Sequence, residues 1–172
     1  MQDQNSNPYA TPDAPVVDFP SEGPELASFG IRLLGAIIDG VLMMVLVFPL
    51  VFALGLMNMS DIMAGIQPTL VDNLKMGTLG FFVFLLVQGY FLNASGQTIG
   101  KKILGTKIVT QDNQKPEFVK LILTRYATIH AIGQIPILGG LFGFVNVLFI
   151  FIGDQRQCLH DKFAGTKVIV AK

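Results

Sequence analysis

The chain has 172 residues, of which 51% are hydrophobic and only 14% charged, and its formal net charge is zero. Soluble domains carry about 25% charged residues because their surfaces face water, so this composition favours a membrane protein. The basic residues flank apolar stretches instead of forming a stripe with interleaved aromatics, so we expect no nucleic-acid partner. One Cys and two His that lie 30 positions apart carry no metal or catalytic signal, so we expect no metal and no cofactor.

Residues 1–28 are rich in Pro, Asp, Asn, Ser and Gln and contain few large apolar side chains. Such a segment cannot bury enough surface to order itself, and we expect an acidic, disordered tail. The tail lacks the basic start of a secretory signal peptide, so we expect no cleavage and an insertion signal in the first apolar span.

Four apolar stretches follow, at about 31–56, 76–94, 118–135 and 137–153, and residues 29–172 form one predicted membrane domain. A hydrocarbon core of about 30 Å requires about 20 apolar residues in a helix. The chain is too short to surround such helices with a soluble surface. The sequence therefore predicts an all-α, polytopic transmembrane protein with three or four spans, whose short juxtamembrane elements lie in the cytoplasm.

The distribution of Lys and Arg predicts the topology, because basic loops stay in the cytoplasm. The loop 57–75 contains one Lys, the segment 101–125 contains five Lys and one Arg, and the tail from Arg156 contains four basic residues. We expect a multi-pass protein of the bacterial cytoplasmic (inner) membrane, with both termini inside. Four spans satisfy this distribution; three spans with an outside tail are the competing count.

The sequence contains an internal repeat. QTIGKKILGTKIV (97–109) and QCLHDKFAGTKVI (157–169) align without gaps, and five positions are identical. Each copy directly follows an apolar span, and each ends in a β-branched run that predicts a short strand. We call these segments the first repeat and the second repeat, and we expect their strands to pair. Asp161 of the second repeat stands where the first repeat has Lys101. Chance similarity of interfacial sequence is the alternative.

The opening span carries the strongest polar pattern. Arg32 and Asp39 are seven positions apart and therefore share a helix face, about 10 Å apart along the axis. Gly35, Ala36 and Gly40 lie on that face, and small residues at this spacing permit close approach of a neighbouring helix. An ionised Asp in a span must face protein or water, so Asp39 is either an ion or proton site or a buried structural contact.

Four charged or titratable residues besides Asp39 are candidates. Arg32 either reaches lipid phosphates or pairs with an acid, and Asp161 is the acid that could close a cytoplasmic gate with it. Arg125 and His130 could contribute to a polar cavity in the weakest span. Asp161 in an ordinary interfacial salt bridge and His130 as a packing residue are the alternatives.

These residues resemble the RDD family of bacterial membrane proteins, which is named for one Arg and two Asp. The resemblance lies in FGIRLLGAIIDGVLM, GQTIGKKILGTKIV and RQCLHDKFAGTKVIV and covers about residues 27–171. It implies that Arg32 is the family Arg, and that Asp39 and Asp161 are the two Asp. It also implies an inner-membrane protein suspected of transport, with cation/proton exchange proposed for some members.

Two functions remain open at this point. The first is a small transporter or ion exchanger of unknown substrate, in which Asp39 binds a cation or proton and Arg32 and Asp161 form a gate. The second is a membrane scaffold or assembly factor that binds lipid or a protein partner. No catalytic constellation is visible, so we expect no enzyme. Because four short spans hardly enclose a transport pathway, we expect a homo-oligomer in the lipid bilayer.

Overall fold

The computed structural model describes residues 23–135 and 137–171. The expectation of a disordered tail at residues 1–22 lies outside the described residues. The described chain is mostly helical.

Two long helices dominate the first half. Helix α1 spans Phe29–Ala53 and α3 spans Leu70–Ser95, and the short helix α2 (Met59–Met63) lies between them. Among the described residues, α1 and α3 are the helices that are long and apolar enough to cross a membrane, with mean hydropathies of 2.5 and 1.6. Helix α3 begins six residues before the predicted span, because Thr69 and Asp72 form a capping box at its start.

The second half contains shorter helices. Helix α5 (Phe118–Leu121), a π-helical turn (Ile122–Ala127) and α6 (Thr128–Gly133) follow one another without interruption. Helix α7 (Leu138–Leu148) continues into a 3-10 turn at Phe149–Phe151. The apolar stretch Leu138–Phe151 is shorter than a typical span. The third and fourth spans therefore remain predictions.

A two-stranded antiparallel sheet joins the two repeats, and it adds strand structure to the predicted all-α fold. Helix α4 (Ile99–Ile103) precedes β1 (Thr106–Thr110), and α8 (Leu159–Ala164) precedes β2 (Thr166–Val170). The register aligns Thr106 with Val170 and Thr110 with Thr166. The strand pairing predicted from the repeat is therefore present in the structure.

The chain just before α1 also joins this sheet. Leu26 forms an isolated antiparallel bridge with Ile169, and the Ala27 N–H donates to the Val168 carbonyl at 3.0 Å. Ala27 is fully buried. The predicted tail boundary at residue 28 is thus a few residues too late, because backbone hydrogen bonding orders a segment whose side chains gave little signal.

The buried core lies where the sheet meets the helix ends. It consists of Ala27, Leu92, Ile108, Leu121, Ile122 and Val168, with partly buried aromatic residues against it. Away from this end the helices expose large apolar side chains; Leu86 is 81% exposed and Phe82 is 59% exposed. Such apolar surfaces are expected of helices that face lipid. The polar residues of interest lie at the sheet end.

Candidate functional site

The two repeats have the same local structure. In the first repeat the Gln97 side chain donates to the Thr106 carbonyl at 2.8 Å, and in the second Gln157 donates to the Thr166 carbonyl at 2.7 Å. Each short helix ends at a glycine with a left-handed backbone, Gly105 or Gly165, at φ 62° in both. The repeat detected in the sequence is therefore a repeat of structure.

Asp39 lies in the middle of α1 and binds the start of α4. Its carboxylate accepts hydrogen bonds from the Gly100 N–H at 2.7 Å and the Thr98 hydroxyl at 2.5 Å. The Gln88 side-chain amide of α3 donates to it at 2.9 Å. Gln88 in turn accepts from the Ile99 N–H at 2.7 Å. A carboxylate at a helix start is favourable because the first N–H groups carry partial positive charge, so Asp39 anchors the first repeat to α1 and α3.

Close backbone contact accompanies this anchor. Gly35 of α1 is buried, and a Cβ there would lie 3.6 Å from the Leu104 side chain of α4. A Cβ at Gly100 would collide with the Gly35 carbonyl oxygen. Ala36 is exposed, and a Cβ at Gly40 would meet no described atom within 4 Å apart from the neighbouring backbone of its own helix. Of the predicted packing residues, Gly35 therefore makes the close approach, and its neighbour is α4 instead of a second long helix.

Asp161 is the centre of a second cluster, which ties the second repeat to two other helices. Its carboxylate forms salt bridges with Arg125 of the π-helical turn and, at 3.5 Å, with Arg32 of α1. All three side chains are buried; Asp161 is 1% exposed. Arg125 also donates to the Thr166 hydroxyl at 2.7 Å, and the Cys158 N–H donates to Asp161 at 3.2 Å.

Arg32 makes further contacts with the second half of the chain. Its guanidinium donates to the Arg156 carbonyl at 2.5 Å and to the Val168 carbonyl at 2.8 Å. The structure therefore brings Arg32 and Asp161 together, as the gate hypothesis requires. Asp39 belongs to the other cluster, and the hydrogen bonds of the described residues do not join it to Arg32.

The charges around Asp161 determine its ionisation. Burial opposes the charged form, but Arg125, His160 and Arg32 outweigh burial and hold the pKa of the Asp161 carboxyl below its usual value. Burial, followed by the positive charge of Arg125, lowers the pKa of His160 to about 3. Asp161 is therefore a stable anion and His160 a neutral imidazole at physiological pH.

Arg125 and His130 do not share a polar cavity. Arg125 lines the cavity beside Asp161, whereas His130 lines a mostly apolar cleft of about 400 Å³ with Met44 and Phe81. The His130 ring lies 2.6 Å from the Gly77 carbonyl oxygen through Nε2, and its centroid is 5.0 Å from that of Phe81. These contacts correspond to a packing residue, so the shared cavity predicted for this pair is not present among the described residues.

Three potential metal ligands do lie together in the second repeat. The ligand atoms of Cys158, His160 and Asp161 are all within 4.8 Å of one another. Arg32 and Arg125 share the same carboxylate, and burial raises the pKa of the Cys158 thiol. A cation would thus meet two guanidinium groups and a protonated thiol, which makes this trio a poor metal site.

Further contacts complete the two clusters through residues that are distant in sequence from Asp39 and Asp161. Gln88 and Thr98 complete the Asp39 cluster. Asn146 of α7 accepts from the His160 N–H at 2.9 Å, and its oxygen lies 2.7 Å from the His160 ring nitrogen Nδ1. Lys101 lines the cavity beside Asp161. Gln88 and Asn146 stand out in the sequence as polar residues within apolar helices, and each accepts a hydrogen bond from the repeat that follows its own helix.

Comparison with known proteins assigns the chain to a family. No curated protein and no solved structure matches it. A model of the RDD family matches residues 26–165, which contain Arg32, Asp39, Arg125 and Asp161. The chain therefore belongs to the RDD family, a membrane-associated family without an assigned activity.

Proposed function

We propose that this chain is a non-catalytic membrane scaffold, in which the long helices hold the two repeats as a platform for anionic lipid or a protein partner. The observation that supports this function best is the use of the charged residues. Asp39 accepts two hydrogen bonds from the first repeat and one from Gln88 of α3. Asp161 joins the second repeat to Arg32 and Arg125. Charged side chains that join helices to repeats in this way have a structural role, which supports a scaffold.

We propose further that the platform faces the cytoplasm of a bacterial inner membrane. Pairing of β1 with β2 brings both basic segments to the same end of the protein as the start of α1. One end that carries the basic residues fits the positive-inside rule. It also fits four crossings, in which α5–α6 and α7 supply the second pair.

Ion exchange is the second candidate, and one observation favours it. Asp39 is a half-buried carboxylate in a helix long enough to span the membrane, next to the Thr98 hydroxyl. To take up a cation, Asp39 would have to release the Gly100 N–H and Thr98, so transport would require movement of α4.

We also propose that the protein is a homo-oligomer. A Cβ at Gly40 would meet no described atom within 4 Å outside the backbone of its own helix, Ala36 is exposed, and Met44 on the same helix is 61% exposed. Small residues at four-residue spacing permit close contact between helices in lipid, so this surface suits a second copy.

The scaffold and the exchanger are separated by Asp39→Asn in proteoliposomes, with Asp112→Asn, an exposed turn residue, as the matched control. A scaffold gives no pH-dependent Na⁺ or K⁺ flux above that of empty vesicles. Asp39→Asn lowers the unfolding temperature, because one of the two accepting oxygens is replaced by an NH2 group that faces a hydrogen-bond donor. Saturable cation flux in the wild type, abolished by Asp39→Asn at an unchanged unfolding temperature, would contradict the scaffold and establish exchange.

A further inference from the structure

A cavity of about 160 Å³ lies between α1, α4, α7 and α8 at the sheet end of the protein. Its polar lining consists of Arg32, Lys101, Arg125, Asn146, His160 and Asp161. Since a water molecule takes about 30 Å³, the space corresponds to about five waters and can hold a group with a few oxygen atoms.

The lining carries more positive than negative charge. Arg32, Lys101 and Arg125 contribute three cations, and Asp161 is the single carboxylate among the lining residues of the described chain. The nearby carboxylate of Asp39 does not line the cavity, and its oxygens are bonded to Thr98, Gly100 and Gln88. Excess positive charge that is removed from water is unfavourable unless an anion accompanies it.

Two cationic groups retain unused donors. The Arg32 Nε is buried and has no hydrogen-bond partner among residues 23–135 and 137–171, and Arg32 as a whole is 9% exposed. The ammonium group of Lys101 takes part in none of the salt bridges of that part of the chain. Burial, followed by the positive charge of Arg125, lowers the pKa of Lys101 to about 8. A buried donor without a partner usually indicates a missing acceptor.

The remaining walls are apolar and belong to helix surfaces. Leu33 and Ala36 of α1 and Val147 of α7 line the cavity, and Leu33 and Val147 are 43% and 39% exposed. An anion in this cavity therefore has guanidinium groups on one side and an apolar, lipid-type surface on the other. Basic pockets between membrane helices are known to receive the headgroups of anionic lipids.

We propose that this cavity binds a phosphate-class anion, held by Arg32, Arg125 and Lys101. Arg guanidinium groups bind phosphate oxygens with strong charge-assisted hydrogen bonds, and the Lys101 ammonium adds a point charge. The phosphate belongs either to the headgroup of a bilayer lipid or to a soluble ion. This inference goes beyond the scaffold proposal and does not depend on it, because a transporter could hold the same anion.

The test uses the full chain in neutral detergent and follows its thermal unfolding during titration with three probes: short-chain phosphatidylglycerol, diacylglycerol of the same chain length, and inorganic phosphate at constant ionic strength. The variant is Lys101→Gln, and the matched control is Lys102→Gln, which removes the next positive charge along α4 at an exposed position. Lys101→Arg retains the charge.

We expect saturable stabilisation by the anionic probe. Lys101→Gln should lower the apparent affinity for the probe about tenfold, as loss of one charge-assisted contact does. Lys102→Gln and Lys101→Arg should keep that affinity within about twofold of the wild type. Stabilisation by phosphatidylglycerol alone identifies a lipid headgroup, and stabilisation by inorganic phosphate identifies a soluble anion. Equal effects of diacylglycerol and phosphatidylglycerol, equal losses in the two Gln variants, or no stabilisation by any probe would each overturn the proposal.

Discussion

The first and second repeats have the same helix, glycine turn and strand, but they are anchored in opposite ways. The difference starts at the third position of each short helix, which is Lys101 in α4 and Asp161 in α8. A carboxylate is favourable in the first turn of a helix and a cation is not. The second repeat therefore supplies its own carboxylate, whereas the first receives Asp39 from α1.

This comparison gives Asp39 and Asp161 related roles in different places of the chain. Asp39 of α1 binds the start of the first repeat directly, and Asp161 of the second repeat binds Arg32 and Arg125. Each carboxylate joins one repeat to helices that are distant in sequence. Both clusters anchor a repeat to long-range partners. In the first cluster α1 supplies the carboxylate, and in the second cluster the repeat itself supplies it.

The largest expected effect comes from removal of the second anchor. Asp161→Asn leaves Arg125 and Arg32 buried without their counter-charge, and loss of one partner of a buried ion pair costs about 3–5 kcal/mol. We expect a large decrease in the unfolding temperature in detergent, or no folded protein, while Asp154→Asn at an exposed position has little effect. Equal stability of the two variants would contradict the anchor role of Asp161.

The second expected effect is a pH dependence of folding stability that originates from His160 of the second repeat. The pKa of His160 is about 3 in the folded protein and about 6.5 when exposed, so the unfolded chain binds more protons between these values. Stability therefore falls as the pH decreases below about 6.5, by about 2 kcal/mol at pH 5. Loss of ionisation at Asp161 begins only at lower pH, because its pKa is held below the usual value of 3.8.

Unfolding temperatures at pH 7.5 and pH 5 check this prediction. His160→Gln should be less stable than the wild type at pH 7.5, because it loses the contact between the His160 ring and Asn146, but its pH dependence should be smaller. The matched control is His130→Gln in the apolar cleft. An unchanged pH dependence in His160→Gln would show that another group is responsible.

The smallest effect tests whether the repeats are equivalent. Gln97→Ala and Gln157→Ala each remove one hydrogen bond to a strand carbonyl. Both should lower stability by about 1 kcal/mol, the usual contribution of one hydrogen bond. A loss of stability confined to one of the two variants would mean that the equivalent hydrogen bond in the other repeat does not contribute to stability.

Much of this arrangement could be predicted from local signals. The long apolar helices follow from length and hydropathy, and the paired strands follow from the repeat. Arg32 and Asp39 stand out as charges in an apolar stretch, and Asp161 stands out as the position at which the two repeats differ in charge. Their joint placement at one end of the molecule was partly predictable, because Arg32 and Asp161 both lie beside predicted membrane boundaries.

The partners of these charges were not predictable in the same way. Arg125 was assigned to a cavity with His130 because both lie on one helix, but its partner Asp161 is 36 positions away. Gln88 and Asn146 are polar residues in apolar helices, and hydropathy alone does not predict from which backbone N–H groups they accept hydrogen bonds. The packing assignment of Gly40 followed from residue spacing, which fixes a helix face but not its neighbour.

Hydrogen exchange measured by mass spectrometry tests the anchor directly, in the wild type and in Asp39→Asn. Asp39 binds the Gly100 N–H itself, so the variant should exchange much faster in residues 98–105 and hardly change in residues 158–165. Equal protection of the first repeat in both proteins would contradict an anchor at Asp39. Loss of protection in both repeats at once would mean that Asp39 supports the whole fold and not one of its two halves.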